Sequence, residues 1–219
     1  MKLFWRKLVV ALTGLFLCLF LIVHLSANCL LLLPEALSRE LYNGYSTFLR
    51  ESLLIKIIAY ALYLSIALHV VYAFVVTIYN RKTKPVKYAL NNYKENSSWA
   101  SQNMAWLGIL ILLFIIVHLV NFWARVKLGL GEKVSLDKQG NLDLYEVTYS
   151  LFKNIYYVIF YVVLMIPLGF HLYHGLQSSI KSLGFYHSKG LNILPGVSLI
   201  YALIISIGFG IIPLIVYFK

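Results

Sequence analysis

Thr13–Leu25 reads TGLFLCLFLIVHL, and Leu107–Leu119 reads LGILILLFIIVHL. Seven of the thirteen positions are identical, and in each stretch a glycine precedes a histidine by ten residues, Gly14 before His24 and Gly108 before His118. Leu and Ile dominate both stretches, so much of the identity follows from composition. The Gly-x9-His spacing does not. Neither stretch carries a charge, and each lies in a longer apolar run. A helix needs about 20 mostly apolar residues to cross a bilayer. Five stretches qualify, at roughly 8–33, 53–79, 104–124, 152–179 and 194–218. The first is too long for the apolar core of a signal peptide, about 7–15 residues. The expected fold is all-α, an integral membrane bundle of five transmembrane helices making one membrane domain over 1–219.

Composition agrees. Apolar residues make up 61% of the chain and charged residues 12%, with a mean hydropathy of +0.80. Soluble domains sit near 45–50% and about 25%, so a soluble or disordered chain is excluded. The net charge of +11 would suggest nucleic acid in a soluble protein. Here the basic residues flank apolar spans, so a lipid membrane and no nucleic acid is the expected surrounding. Cys18 and Cys29 are about 16 Å apart along one helix and cannot pair. With the N-terminus inside, Lys and Arg divide ten inside to nine outside. The compact basic clusters at 2–7 and 81–87 favour that orientation, and seven of the eight acidic residues then fall outside.

Polar residues inside spans are costly and mark functional sites. His24, His69, His118 and His171 place one histidine in each of the first four spans, and His174 follows His171. A single membrane histidine is often only an interhelical hydrogen-bonding group; four in successive spans call for more. At 1.5 Å per residue, His24 and His118 lie about 5–6 Å outward of their span midpoints, and His69 and His171 about 4–8 Å inward. Two levels about 10–14 Å apart result, unsuited to one zinc or copper ion but suited to two flat macrocycles, each held from both faces. Two imidazoles fill both axial positions of a haem iron, leaving a centre that transfers electrons rather than binding substrate. The other ring N–H of each histidine needs an acceptor, for which a backbone carbonyl one turn back is expected. Gly14 and Gly108 fall near the inner level, where they admit either a bulky planar group or close helix packing.

These residues resemble a known family. ALTGLFLCLFLIVHLSAN (11–28), SSWASQNMAWLG (97–108), FIIVHLVNFW (114–123) and FHLYHGLQSSIKSLGFYH (170–187), with His69, are similar to the membrane cytochrome b subunit of succinate:quinone oxidoreductases and fumarate reductases, in its single-chain, five-helix, two-haem form. The resemblance implies two bis-histidine haem b groups inside a four-helix core, His24 with His118 at the outer one and His69 with His171 at the inner one. It implies an iron–sulfur subunit, a flavoprotein subunit that carries the succinate chemistry, and a membrane quinone, usually menaquinone. The location implied is the bacterial inner (cytoplasmic) membrane. One branch of the family has a buried glutamate two residues before the fourth-span haem histidine; here that position is Gly169, and no Asp or Glu lies centrally in any span.

Other positions stay open. Arg81 and Lys181 begin loops beside the inner level and are candidates for binding haem propionates. His174 sits nearer the inner surface than His69 and could bond a propionate or a quinone, or simply be a polar surface residue. The basic loop 80–103 could dock the iron–sulfur subunit, neutralise propionates, or only set topology. Ser26 and Asn28 could line a quinone pocket or bond between helices. Two rival readings are a cytochrome b anchor of a formate dehydrogenase or hydrogenase, and a haem-free transporter with relay histidines. The transporter would call for acidic partners within the spans.

Overall fold

The computed structural model describes residues 2–82, 98–184 and 192–219. The chain is an all-α membrane bundle. Five helices are long and apolar enough to cross a membrane. α1 (Lys2–Asn28) ends in a 3-10 turn at Cys29–Leu32, and Pro34 then redirects the chain into α2 (Glu35–Glu51). α3 spans Leu53–Lys82. α4 (Trp99–Leu119) starts at Ser98, whose hydroxyl accepts from the Ser101 N–H, and runs through a π turn, Val120–Ala124, to Lys127. A short α5 (Leu144–Phe152) precedes α6 (Ile155–Ser182) and α7 (Leu194–Phe218). The end that carries the N-terminus is called inner below.

Two helices interrupt segments that the sequence marks only as connections. α2 occupies nearly all of 34–52, and α5 ends the segment 125–151. α2 is too polar to span and α5, at nine residues, too short, so hydropathy alone does not reveal them. They form a cap across the outer end, fixed by a polar cluster. Asn43, fully buried, donates to Asp143 at 2.9 Å and Asp137 at 3.1 Å and accepts from the Tyr145 N–H at 2.8 Å. Arg39 binds Asp143, reaches Glu146 Oε2 at 2.6 Å and lies over the Tyr145 ring. Asp143 also caps α5 by accepting from the Glu146 N–H. Lys219 closes the same end, donating from Nζ to the Leu31 carbonyl at 2.8 Å.

Within the bundle α1 packs along α3 and α6, α4 along α6, and α6 along α7. α1 and α4, and likewise α3 and α6, stand across the bundle from one another rather than backbone to backbone. The buried core is concentrated where α6 meets α7 and α1, around Val158, Tyr161, Met165, Ile205, Ile212 and Val216. By contrast α3 has no fully buried residue. Two close approaches fix α7. A Cβ at Gly208 would come within 2.8 Å of Leu25, and one at Gly169 within 3.1 Å of Ser206 Oγ. Trp5, Trp99, Trp106 and Trp123 are exposed, as interfacial aromatics are.

Candidate functional site

The four span histidines meet in twos, across the bundle. His24 on α1 faces His118 on α4 with ring centres 5.8 Å apart. His69 on α3 faces His171 on α6 with ring centres 6.3 Å apart. Among the described residues no three His, Cys, Asp or Glu side chains gather as a metal site. Two imidazoles bound to opposite sides of one metal ion, each nitrogen about 2 Å from it, hold their ring centres roughly 6–6.5 Å apart. Both pairs stand near that separation.

The glycines tie the two levels together. A Cβ built on Gly14 would lie 3.2 Å from His69 Cε1, and one on Gly108 would lie 3.9 Å from His171 Cε1. Each glycine, ten residues from the outer histidine of its own helix, therefore sits beside a histidine of the inner pair. Ten residues measure about 15 Å of helix, so α1 and α4 independently place the levels about 15 Å apart, slightly beyond the spacing expected from span midpoints.

The two levels differ in surroundings. The outer pair is enclosed by aromatic rings. Phe20 stacks on His24 and Phe114 on His118, while Phe122, Phe209 and Tyr161 lie against the same two imidazoles. Phe20, Phe114 and Phe122 each stand four residues from a histidine on the same helix, a spacing that brings side chains together and is legible in the sequence. The inner pair is polar. Thr13 Oγ1 lies 3.2 Å from His69 Nδ1, and Ser179 Oγ lies beside Gly14.

The expected carbonyl acceptors do not appear at every ring. His69 has the Thr13 hydroxyl and the Val10 carbonyl of α1 as partners, while Nδ1 of both His118 and His171 is buried with no protein partner among the described residues. Buried polar atoms are nearly always paired, and an unpaired one in a native fold calls for an explanation. Metal binding at the opposite ring nitrogen would leave the proton on Nδ1, where it still needs an acceptor, so these two atoms do not themselves mark a bound group. The residues present fit two axially ligated groups: paired imidazoles near the required separation, and a glycine at the inner level on each of two helices.

His174 stands apart from the inner pair. With Lys7, Gln177, Ser178, Lys181 and Ser182 it lines a cavity of about 360 Å³ at the inner end of α1 and α6. Lys181 and His174 are therefore brought together as the sequence suggests, and Lys7 joins them from α1. Sequence reasoning assigned Lys7 to topology alone; its place directly against the first apolar run, after Arg6, is the signal that could have singled it out. Arg81 is exposed at the end of α3 and does not line this cavity. Of the basic loop 80–103, residues 83–97 lie outside the described residues, as does His187.

At the outer end a second cavity, about 280 Å³, opens beside the π turn between Asn121, Arg125, Glu132 and Tyr157. Asn121 reaches the Tyr161 hydroxyl at 3.5 Å, and Arg125 binds Glu132 through its side chain at 3.3 Å and its carbonyl at 3.1 Å. A π turn inserts one residue into the helical ladder and is frequent at functional sites; this one begins two residues after His118. Among the described residues Ser26 and Asn28 bond within their own helix. They donate to the Ile22 and His24 carbonyls of their own helix, at 2.9 and 2.8 Å. No family model, curated protein or solved structure matches the chain.

Proposed function

We propose that this chain is the dihaem cytochrome b anchor of a succinate:quinone oxidoreductase or fumarate reductase. It would carry electrons between an iron–sulfur subunit and a membrane quinone, menaquinone or a related one. The observation that carries this reading is the pair of facing imidazoles at each of two levels, with ring centres 5.8 and 6.3 Å apart. The order and spacing of the quoted motifs supply the choice among cytochrome b anchors. On this reading the enzyme's flavoprotein subunit holds the succinate site, and the chain lies in a bacterial cytoplasmic membrane with its N-terminus on the cytoplasmic side.

His24 and His118 would hold the outer haem b, and His69 and His171 the inner. When bound, these groups supply one-electron transfer through centres whose axial positions are both filled. The chain's own residues do the rest. Four helices fix the imidazoles in opposed pairs, and the aromatic rings around the outer pair keep water away from it. Lys7, Lys181 and His174 gather positive charge and hydrogen-bond donors at the inner cavity, suited to the carboxylates of haem propionates. Position 169 is a glycine with no titratable group, and a Cβ there would crowd Ser206 Oγ. Any proton route in this chain therefore avoids that position.

The test is purification from the native membrane in mild detergent. The reading expects b-type absorption bands on reduction, together with co-purifying iron–sulfur and flavin subunits that reduce the haem with succinate. A colourless chain, or one held by a formate- or hydrogen-oxidising partner, contradicts it.

A further inference from the structure

We infer that Thr13 is a positioning residue for His69, fixing the tautomer and rotation of that imidazole and so tuning the inner centre alone. This rests on the proposed haem ligation. The argument is one of proton counting. A threonine hydroxyl has a single proton and two lone pairs. The Thr13 hydroxyl donates to the Val9 carbonyl of its own helix at 2.7 Å, with the Val10 carbonyl at 3.2 Å as a second acceptor. Its proton is thus committed to α1. What it presents to His69 Nδ1, 3.2 Å away, is a lone pair. His69 must then be the donor, with its proton on Nδ1. Its Nε2 keeps the lone pair that a metal requires.

The arrangement is specific to one ring of the four. His118 and His171 have buried Nδ1 atoms with no protein partner among the described residues, so neither is held in this way. Position matters as much as chemistry. Thr13 immediately precedes Gly14, where a Cβ would come within 3.2 Å of His69 Cε1 and only a glycine leaves the ring its space. One turn of α1 therefore leaves room for the ring at Gly14 and meets its Nδ1 with a hydrogen bond. A donated Nδ1–H bond makes an imidazole a more electron-rich ligand and favours the oxidised metal. Removing it leaves the imidazole a weaker ligand with the Val10 carbonyl as its remaining acceptor.

The test compares Thr13→Val, which keeps the shape and loses the hydroxyl, with Thr13→Ser, which keeps the hydroxyl. Each is read by an optically monitored redox titration of the purified complex. Thr13→Val should raise the midpoint of the inner haem, by about 59 mV for each tenfold loss of preference for the oxidised state. It should also weaken retention of that haem by about 10- to 100-fold. Its outer haem should titrate as in the unmodified protein, and Thr13→Ser should restore both midpoints. Thr13→Val without any shift at the inner haem, or Val and Ser variants shifting alike, overturns the inference while leaving the proposed function intact. An unmodified chain with no inner haem overturns both.

Discussion

On the proposed haem ligation, a single methyl group added at Gly14 should injure the inner level and spare the outer. The Cβ of Gly14→Ala would lie 3.2 Å from His69 Cε1, 3.5 Å from Ser179 Oγ and 3.6 Å from His69 Nδ1. The first distance is closer than ordinary contact, and His69 cannot simply swing away because Thr13 holds it. Overpacking of this kind costs about 1–3 kcal/mol. Charged to the geometry of His69, that is a loss of about 5- to 140-fold in retention of the inner haem, at 1.4 kcal/mol per tenfold. Gly108→Ala is the control. Its Cβ would meet His171 Cε1 at 3.9 Å, an ordinary contact, and should leave both haems bound. Alanine is favoured over glycine within a helix by about 1 kcal/mol, so neither change threatens the helix itself. The assay is the reduced-minus-oxidised spectrum of each purified variant, with inner and outer contributions separated by redox titration. Equal loss of both haems in Gly14→Ala would mean that the glycine serves general helix packing. Loss in Gly108→Ala with none in Gly14→Ala would refute the placement of the glycines against the inner pair.

Three further outcomes follow from the same geometry. His171→Ala should leave one haem per chain, the outer, whereas His174→Ala should leave two, because His171 faces His69 and His174 lines the inner cavity; haem counts on the two variants decide it. Asn43→Ala should destabilise the outer cap by about 2–4 kcal/mol, since it strands the buried Tyr145 N–H and removes a donor from Asp143; a lower thermal midpoint in detergent checks this. The cap should also resist acid. Burial pushes the Asp137 carboxyl upward, but hydrogen bonds from the Asn141 N–H, the Asn43 side chain and the Gln139 N–H outweigh it and hold it below its ordinary value of 3.8. A carboxylate depressed on folding contributes stability that is present above the unfolded value and lost as pH falls through the folded one. Proteolysis at the cap should therefore stay slow from pH 7 down to 3.8 and rise only below it.

The spans were legible because each is an uninterrupted apolar run, and the level of each histidine followed from counting residues along a helix of known rise. That count was enough to group His24 with His118 and His69 with His171. It was less able to find anything that depends on direction around a helix. Thr13 reads as one more small residue in a membrane span until its hydroxyl is seen to lie between the Val9 carbonyl and His69. Lys7 reads as a topology signal until α1 and α6 bring it beside His174. The cap was hidden for a different reason. Asn43, Asp137 and Asp143 are polar residues in polar connections, and only the fold converts them into a buried cluster by bringing α2 against residues about a hundred positions later. Arg81 and Lys181 look equivalent in sequence, each ending a span at the inner end, yet only Lys181 lines the cavity, while Arg81 is exposed at the end of α3.

The central claim, that two opposed histidine pairs each hold one haem b, is tested most directly by counting haem. A pyridine haemochrome assay on the purified, unmodified chain, set against its protein concentration, should return two haems b per chain, extractable because no CxxCH site exists for covalent attachment. His118→Ala should reduce the count to one. A count of none, or of one in the unmodified chain, contradicts the two-pair account.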